Sequence, residues 1–167
     1  MIDPANQLFQ EAIAMLENVS LFADVPPHYL AELEKLSVQR KYPKNTVLVT
    51  EGDESTYLYI LRKGTVSCFL NNEDGRQVNL NYMHEGEYFG ELSLIDGKPR
   101  SASVMTITDC EIILVSRASV QELIRKHPDF ALQLLTEVTR RVRELTDSVK
   151  DMALLDVYGR VSAALEK

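Results

Sequence analysis

The sequence contains few of the residues that build metal centres and disulfide frameworks. Only two cysteines and three histidines occur among 167 residues. Cys68 and Cys110 lack a Cys-x-x-Cys spacing, and the histidines are scattered along the chain. We therefore expect no disulfide framework, no zinc or iron–sulfur site and no other metal site. Both cysteines are expected to pack as small apolar side chains.

Long apolar runs and an excess of basic residues are also absent. No run approaches the roughly 18 apolar residues that a membrane-spanning helix requires. Residues 1–6 lack the basic and apolar regions of a signal peptide. A cytoplasmic protein without a membrane partner is expected. The net charge of −7 argues against this chain gripping nucleic acid by itself, because Lys and Arg must neutralise the phosphates.

From about Val38 the pattern is typical of short strands separated by turns. The β-rich runs are 47–49, 57–61, 66–70, 78–83, 102–107 and 112–115. Asp74-Gly75 supplies the positive φ of a hairpin. Five glycines recur at intervals of 11 or 12 residues, as the turns of a compact roll would require: Gly52, Gly64, Gly75, Gly86 and Gly97. The predicted class is α+β, mainly β, with an antiparallel β-roll of jelly-roll type.

Helices are predicted on both sides of this roll. Residues 4–17 form an amphipathic pattern, and Pro26-Pro27 opens a second short helix. Helix returns near Ser116, where Ser119 and Glu122 are spaced as a capping box. Pro128 then opens a longer helix, and Gly159 predicts a bend or a helix break near its end.

The long helix carries an apolar stripe at alternating spacings of three and four. Its members are Leu135, Val138, Val142, Leu145, Val149 and Met152. The mixture of β-branched and other apolar residues favours a two-stranded parallel coiled coil. We expect a homodimer through residues 135–152. The alternative is that the stripe packs on the roll of its own chain.

Groups suited to an anionic sugar phosphate are concentrated in the 89–103 segment. It reads Phe-Gly-Glu-Leu-Ser-Leu, then Ile-Asp-Gly-Lys, then Pro-Arg-Ser-Ala-Ser. Gly90 allows close backbone approach to a phosphate at a predicted helix start. Arg100 offers a planar donor fork, Ser101 a hydroxyl, and Glu91 an acceptor for a ribose hydroxyl. Less specific roles remain open: Arg100 paired at the surface with Asp96 or Glu91, and Glu91 as a first-turn acid.

This segment resembles the phosphate-binding cassette of cyclic-nucleotide-binding domains, and the chain is similar to the CRP/FNR family of bacterial transcription regulators. The resemblance begins at Leu21-Phe22 and ends at 156–161 (Asp-Val-Tyr-Gly-Arg-Val). It includes Glu51-Gly52-Asp53, Lys63-Gly64 and Gly86-Glu87. It implies a β-roll of the cyclic-nucleotide-binding type, flanking N-terminal helices and a long C-terminal dimerisation helix.

The resemblance also implies a ligand and the residues that bind it. The ligand is expected to be cyclic AMP, with cyclic GMP possible, and no cofactor is expected. The implied ligand-binding residues are Gly90, Glu91, Leu92, Ser93, Arg100, Ser101 and Thr146. In the family's cyclic-AMP-responsive members, two adjacent hydroxyl residues of the long helix contact the adenine. Leu145 and Thr146 stand at those positions, so Leu145 leaves base selectivity open, and Thr146 as an exposed residue without a role is an alternative.

Three parts of the chain follow from this resemblance. Residues 1–127 form the roll with its flanking helices, 128–155 the dimerisation helix, and 156–167 a hinge and the start of a truncated helix-turn-helix domain. The natural protein is expected to continue past Lys167. DNA and RNA polymerase would be partners only of that full-length protein.

The expected function is non-catalytic: cyclic nucleotide sensing in a dimeric transcription regulator. Three alternatives remain open. The roll can belong to a regulatory module of a kinase, channel or other effector. It can belong to a regulator with another effector, such as haem, or none. A metal-dependent enzyme on a jelly roll would need clustered His and Glu ligands, which this sequence does not supply.

Overall fold

The computed structural model describes residues 13–72 and 74–165, without the side chains of 151, 152 and 155–165. The chain divides into two compact units, Met1–Phe130 and Ala131–Lys167. Most of the helix predicted at 4–17 lies outside the described residues, and its described part, 13–17, is helical (α1). The division of function at 127/128 and 155/156 stays a prediction.

The first unit is built on two four-stranded antiparallel sheets. Its strands are β1 Val38–Tyr42, β2 Val47–Val49, β3 Tyr57–Lys63, β4 Val66–Asn71, β5 Gln77–Met83, β6 Tyr88–Phe89, β7 Ser103–Thr106 and β8 Cys110–Ser116. The strand orders are β1-β8-β3-β6 and β2-β7-β4-β5. Because β8 and β7 return to lie between earlier strands, the chain closes into the predicted jelly roll.

The hydrophobic core lies between the two sheets. Seven of the strands contribute inward-facing side chains, which alternate with outward-facing ones along each strand. These are Val49, Tyr59, Leu61, Val66, Met83, Phe89, Val104, Cys110, Ile112 and Leu114. The rings of Tyr59 and Phe89 stack with centroids 4.8 Å apart. This stack fixes the end of β6, so the core determines where the chain enters the 89–103 segment.

Short helices close the ends of the roll. They are α2 Pro27–Lys35, α3 Glu91–Asp96 and α4 Arg117–Lys126. The Ser116 hydroxyl caps α4 by accepting the Ser119 N–H. The predicted capping box of Ser119 and Glu122 is therefore wrong, because the extended backbone at the end of β8 leaves Ser116 in the N-cap geometry.

The second unit is mainly the long helix α5, Asp129–Leu165. The helix continues through residues 156–160, so the predicted helix break near Gly159 is wrong. A glycine in a helix interior costs only about 1 kcal/mol, which a helix of 37 residues tolerates. Among the described residues, no helix is both long and apolar enough to cross a bilayer.

The turn between β3 and β4 depends on a glycine for steric reasons. Gly64 has φ +97°, and a Cβ added there would lie 2.5 Å from the Asp109 carbonyl oxygen and 2.7 Å from Cys110 Sγ. Gly75 in the β4–β5 hairpin has a similar φ of +76° but open space around it. An alanine at position 75 would incur only the cost of the positive φ, whereas an alanine at position 64 would incur that cost and the cost of a steric collision.

We expect Gly64→Ala to destabilise the fold by about 3 kcal/mol, from positive φ and overpacking together. Gly75→Ala should cost about 1 kcal/mol, because only the backbone term applies. Urea unfolding of both variants measures the difference. Equal losses of stability in the two variants would show that Asp109 and Cys110 do not exclude a larger side chain at position 64.

Candidate functional site

The 89–103 segment begins where the core strand β6 turns into α3. Gly90 occupies the N-cap of α3 with φ +92°, and Gly97 ends the helix with φ +71°. The predicted helix start at Gly90 is confirmed. Since α3 has only six residues, its macrodipole is small, and the charge of the site comes mainly from side chains.

Gly90 also lies against the guanidinium of Arg100. A Cβ at position 90 would collide with Arg100 Nη1 and lie 2.9 Å from Cζ and 3.0 Å from the Tyr57 carbonyl oxygen. The missing side chain makes room for the arginine. The close approach of a phosphate to this glycine stays a prediction.

Arg100 is buried and held from three sides. The residue is 4% exposed. Nη2 donates to Ser55 Oγ at 2.7 Å and to the Tyr57 carbonyl oxygen at 2.6 Å. Cζ lies 5.4 Å from the centroid of the Tyr59 ring, a distance at which a cation is attracted to the ring face. A surface pairing with Asp96 or Glu91 is not the arrangement found.

The backbone of Arg100 is fixed by the turn that follows β2. Its N–H donates to the Asp53 carbonyl at 2.9 Å, and its carbonyl accepts the Gly52 N–H at 2.8 Å. Gly52 and Asp53 therefore bracket position 100 through main-chain bonds alone. The backbone of Arg100 is thus anchored by the connection between β2 and β3, residues 50–56, and its side chain by the same connection and the start of β3.

Three of the five N–H donors of the Arg100 side chain, on two of its nitrogens, remain unpaired among the described residues. Nε and Nη1 are buried and have no hydrogen-bond partner within the described part of the chain. Burial lowers the pKa of the guanidinium from its ordinary value, while Tyr59 and the Glu91 carboxylate act in the opposite direction. An arginine remains charged in such surroundings. A buried cation with unpaired donors is a site that an anion would complete.

The residues that hold Arg100 also line a cavity. Ser55, Tyr57 and Tyr59 share the walls of an open cavity of about 500 Å³ with Leu48, Val49, Asp53, Glu54 and Thr56. Ligand pockets of drug-sized molecules span about 300–1,000 Å³ and combine apolar walls with a few polar groups. The lining here is mixed: Leu48 and Val49 are apolar, Asp53 and Glu54 carry carboxylates, and Arg100 itself is not among the lining residues.

The other predicted ligand residues occupy different environments. Glu91 and Ser93 are buried at 3% and 5% exposure, whereas Leu92 and Ser101 are exposed. Thr146 lies in the second unit, and its hydroxyl donates to the Val142 carbonyl at 2.9 Å. That bond uses the hydroxyl hydrogen and leaves acceptor capacity on the oxygen. The ligand roles of all these residues stay predictions.

Sequence reasoning missed Ser55, Tyr57 and Tyr59. They lie 41 to 45 positions before Arg100 and reach it only because the connection after β2 and the start of β3 pass beside the 89–103 segment. Metal ligands do not gather here: the described residues contain no group of three or more His, Cys, Asp or Glu side chains that could hold a metal ion.

Comparison with known proteins places this geometry in a family. Residues 39–127 match the family model described as "Cyclic nucleotide-binding domain". The "cAMP-activated global transcriptional regulator CRP" of Salmonella typhimurium is 34% identical over 126 residues, which are 75% of this chain and 60% of that protein. The chain thus spans about 60% of the length of the first curated relatives that it matches.

Two further relatives agree with that match. A "CRP-like cAMP-activated global transcriptional regulator" of Mycobacterium tuberculosis is 32% identical over 151 residues, covering 90% of this chain and 67% of the relative. The crystal structure of Thermus thermophilus Catabolite Activator Protein superposes with a TM-score of 0.73 at 30% identity, covering 80% of this chain and 63% of the other. The chain therefore belongs to the cyclic nucleotide-binding domain family, with its relatives among the CRP-type regulators.

Proposed function

We propose that this chain is the cyclic nucleotide sensing module of a dimeric bacterial transcription regulator, and that its ligand is cyclic AMP. The proposal rests on Arg100, a buried cation with two nitrogens, Nε and Nη1, that have no hydrogen-bond partner among the described residues. The single negative charge and free oxygens of a cyclic phosphate complement such a group. No catalytic role is proposed, and a cytoplasmic location follows from action on DNA.

We propose cyclic AMP rather than cyclic GMP because of what activates the relatives. The regulators of Salmonella typhimurium and Mycobacterium tuberculosis are both described as cAMP-activated. The proposed ligand-binding residues of this chain account for the phosphate and the ribose of the nucleotide better than for its base. Glu91 is a buried carboxylate beside Arg100 and would accept a ribose hydroxyl. Thr146 would contact the base, while Leu145 offers no second hydroxyl.

The regulatory mechanism proposed here is a population shift. The ligand would favour one register or orientation of the dimer. It can shift that equilibrium only by the difference between its affinities for the two arrangements. The shift would pass along α5 to a DNA-binding domain in the full-length protein, where DNA and RNA polymerase would be the partners.

Dimerisation through residues 135–152 is supported by the surface of α5. Four members of the apolar stripe, Leu135, Val142, Leu145 and Val149, are 56% to 66% exposed. Val138 is partly buried, and the Met152 side chain lies outside the described residues. Exposed apolar side chains at a and d spacing are typical of a coiled-coil seam whose partner helix comes from a second chain.

Calorimetric titration with cyclic AMP and cyclic GMP tests the ligand. We expect saturable binding of cyclic AMP, tighter than that of cyclic GMP. Arg100→Leu should weaken cyclic AMP binding at least 100-fold, since a bidentate, charge-assisted pair in a buried site is lost.

Arg40→Leu is the matched control for this titration. Arg40 lies exposed on β1, so the same substitution there should leave the affinity within twofold of the original. Absence of binding by either nucleotide would exclude the proposed ligands. Binding that survives Arg100→Leu unchanged would exclude Arg100 as the phosphate group's partner.

Sedimentation of a Val142→Glu variant tests the dimer. A carboxylate at the centre of an apolar seam should raise the dimer dissociation constant at least tenfold, because it would be buried without a partner. Thr136→Glu adds the same charge beside the stripe and should leave the dimer intact. A dimer that persists unchanged in Val142→Glu would show that the seam lies elsewhere.

A further inference from the structure

The hydrogen bonds of Arg100 restrict how its guanidinium can hold two oxygens at once. A guanidinium binds two oxygens along either of two edges, Nη1–Nη2 or Nε–Nη2, because the five N–H groups form a fixed planar fork. Nη2 belongs to both edges and carries one hydrogen on each. In this structure Ser55 Oγ and the Tyr57 carbonyl oxygen accept from Nη2. Both edges of the fork are therefore half occupied by the protein itself.

The two acceptors differ in how easily they can move away. The Tyr57 carbonyl belongs to the first residue of β3, which is paired with Ser116 of β8. Its displacement would disturb the sheet. The Ser55 hydroxyl belongs to a half-buried side chain in the stretch before β3 that has no regular structure. Rotation about one side-chain bond removes it from Nη2.

The position of Ser55 favours such an exchange. Ser55 and Tyr59 line the 500 Å³ cavity, so a ligand in that cavity reaches the residue whose hydroxyl accepts from Arg100 Nη2. The main-chain bonds from Gly52 and Asp53 to Arg100 do not involve the Ser55 side chain. The hydroxyl can therefore leave Nη2 without releasing the backbone of Arg100.

We propose that Ser55 determines affinity at this site by competing with the ligand's phosphate for Nη2 of Arg100. A phosphate oxygen takes the place of Ser55 Oγ, and a second phosphate oxygen binds Nε or Nη1 on the same edge. The proposal rests on the proposed function in that the phosphate belongs to a cyclic nucleotide. Its chemistry requires only an anion that binds Arg100.

Whether substitution of Ser55 raises or lowers the affinity for cyclic AMP tests the proposal. Ser55→Ala removes the competitor, so cyclic AMP should bind about three- to tenfold more tightly, the range of one net hydrogen bond. Ser55→Thr retains a hydroxyl and should bind cyclic AMP with the affinity of the original chain. Ser55→Asp supplies a charged competitor and should weaken binding at least tenfold. A residue that merely supports the fold or positions Arg100 would give weaker binding in Ser55→Ala.

Ser37→Ala is the matched control, because Ser37 is also half-buried and its hydroxyl makes one hydrogen bond, to the Glu34 carbonyl at the end of α2. It should leave the affinity unchanged. Thermal unfolding of each variant confirms that it is folded. Weaker or unchanged cyclic AMP binding in Ser55→Ala would overturn the proposal.

Titration with inorganic phosphate separates this proposal from the proposed function. If neither cyclic nucleotide binds but Ser55→Ala binds phosphate more tightly than the original chain does, the nucleotide assignment fails and the competition stands. If phosphate binds equally or less tightly in Ser55→Ala, or binds neither protein, and no nucleotide binds, then both fail.

Discussion

Burial of one positive charge organises the candidate site. The guanidinium of Arg100 lies over the Tyr59 ring, beside the Cα of Gly90, with two donors turned to Ser55 and Tyr57. Desolvation of a charge is costly unless hydrogen bonds and nearby opposite charge offset it. Among the described residues the offset is partial, because Nε and Nη1 have no hydrogen-bond partner. The core stack of Tyr59 on Phe89 thus supports both the hydrophobic interior and the group that would receive an anion.

Much of the fold follows from local signals in the sequence. Short β-rich runs separated by turn signals predicted six strands near their observed positions. β1 was not defined, because Val38–Tyr42 is polar and largely exposed, as edge strands often are. β6 was missed because it has only two residues. The helix break expected at Gly159 failed because local propensity is weak against a long helix.

The proximity of Gly90 and Arg100 was predictable from the sequence, but the contacts of Arg100 were not. Gly90, Glu91 and Arg100 are close in sequence, so their proximity needed no knowledge of the fold. The groups that hold Arg100 come from a distant connection, and no spacing rule links Ser55 to position 100. For the same reason the role of Gly90 was only partly foreseen. A glycine signals that something approaches closely, but the approaching group is identified only when the strands are in place.

The main-chain bonds at position 100 have a consequence for the variation that this site can tolerate. Gly52 and Asp53 hold the backbone of residue 100 whatever its side chain. The loop is thereby supported independently of the chemistry that it presents. Substitution of residues 55 and 100 would alter the charge and the hydrogen-bonding groups around the cavity, while the surrounding strands keep their register. Substitutions in these two loops can therefore change which groups the cavity wall attracts, without rebuilding the core.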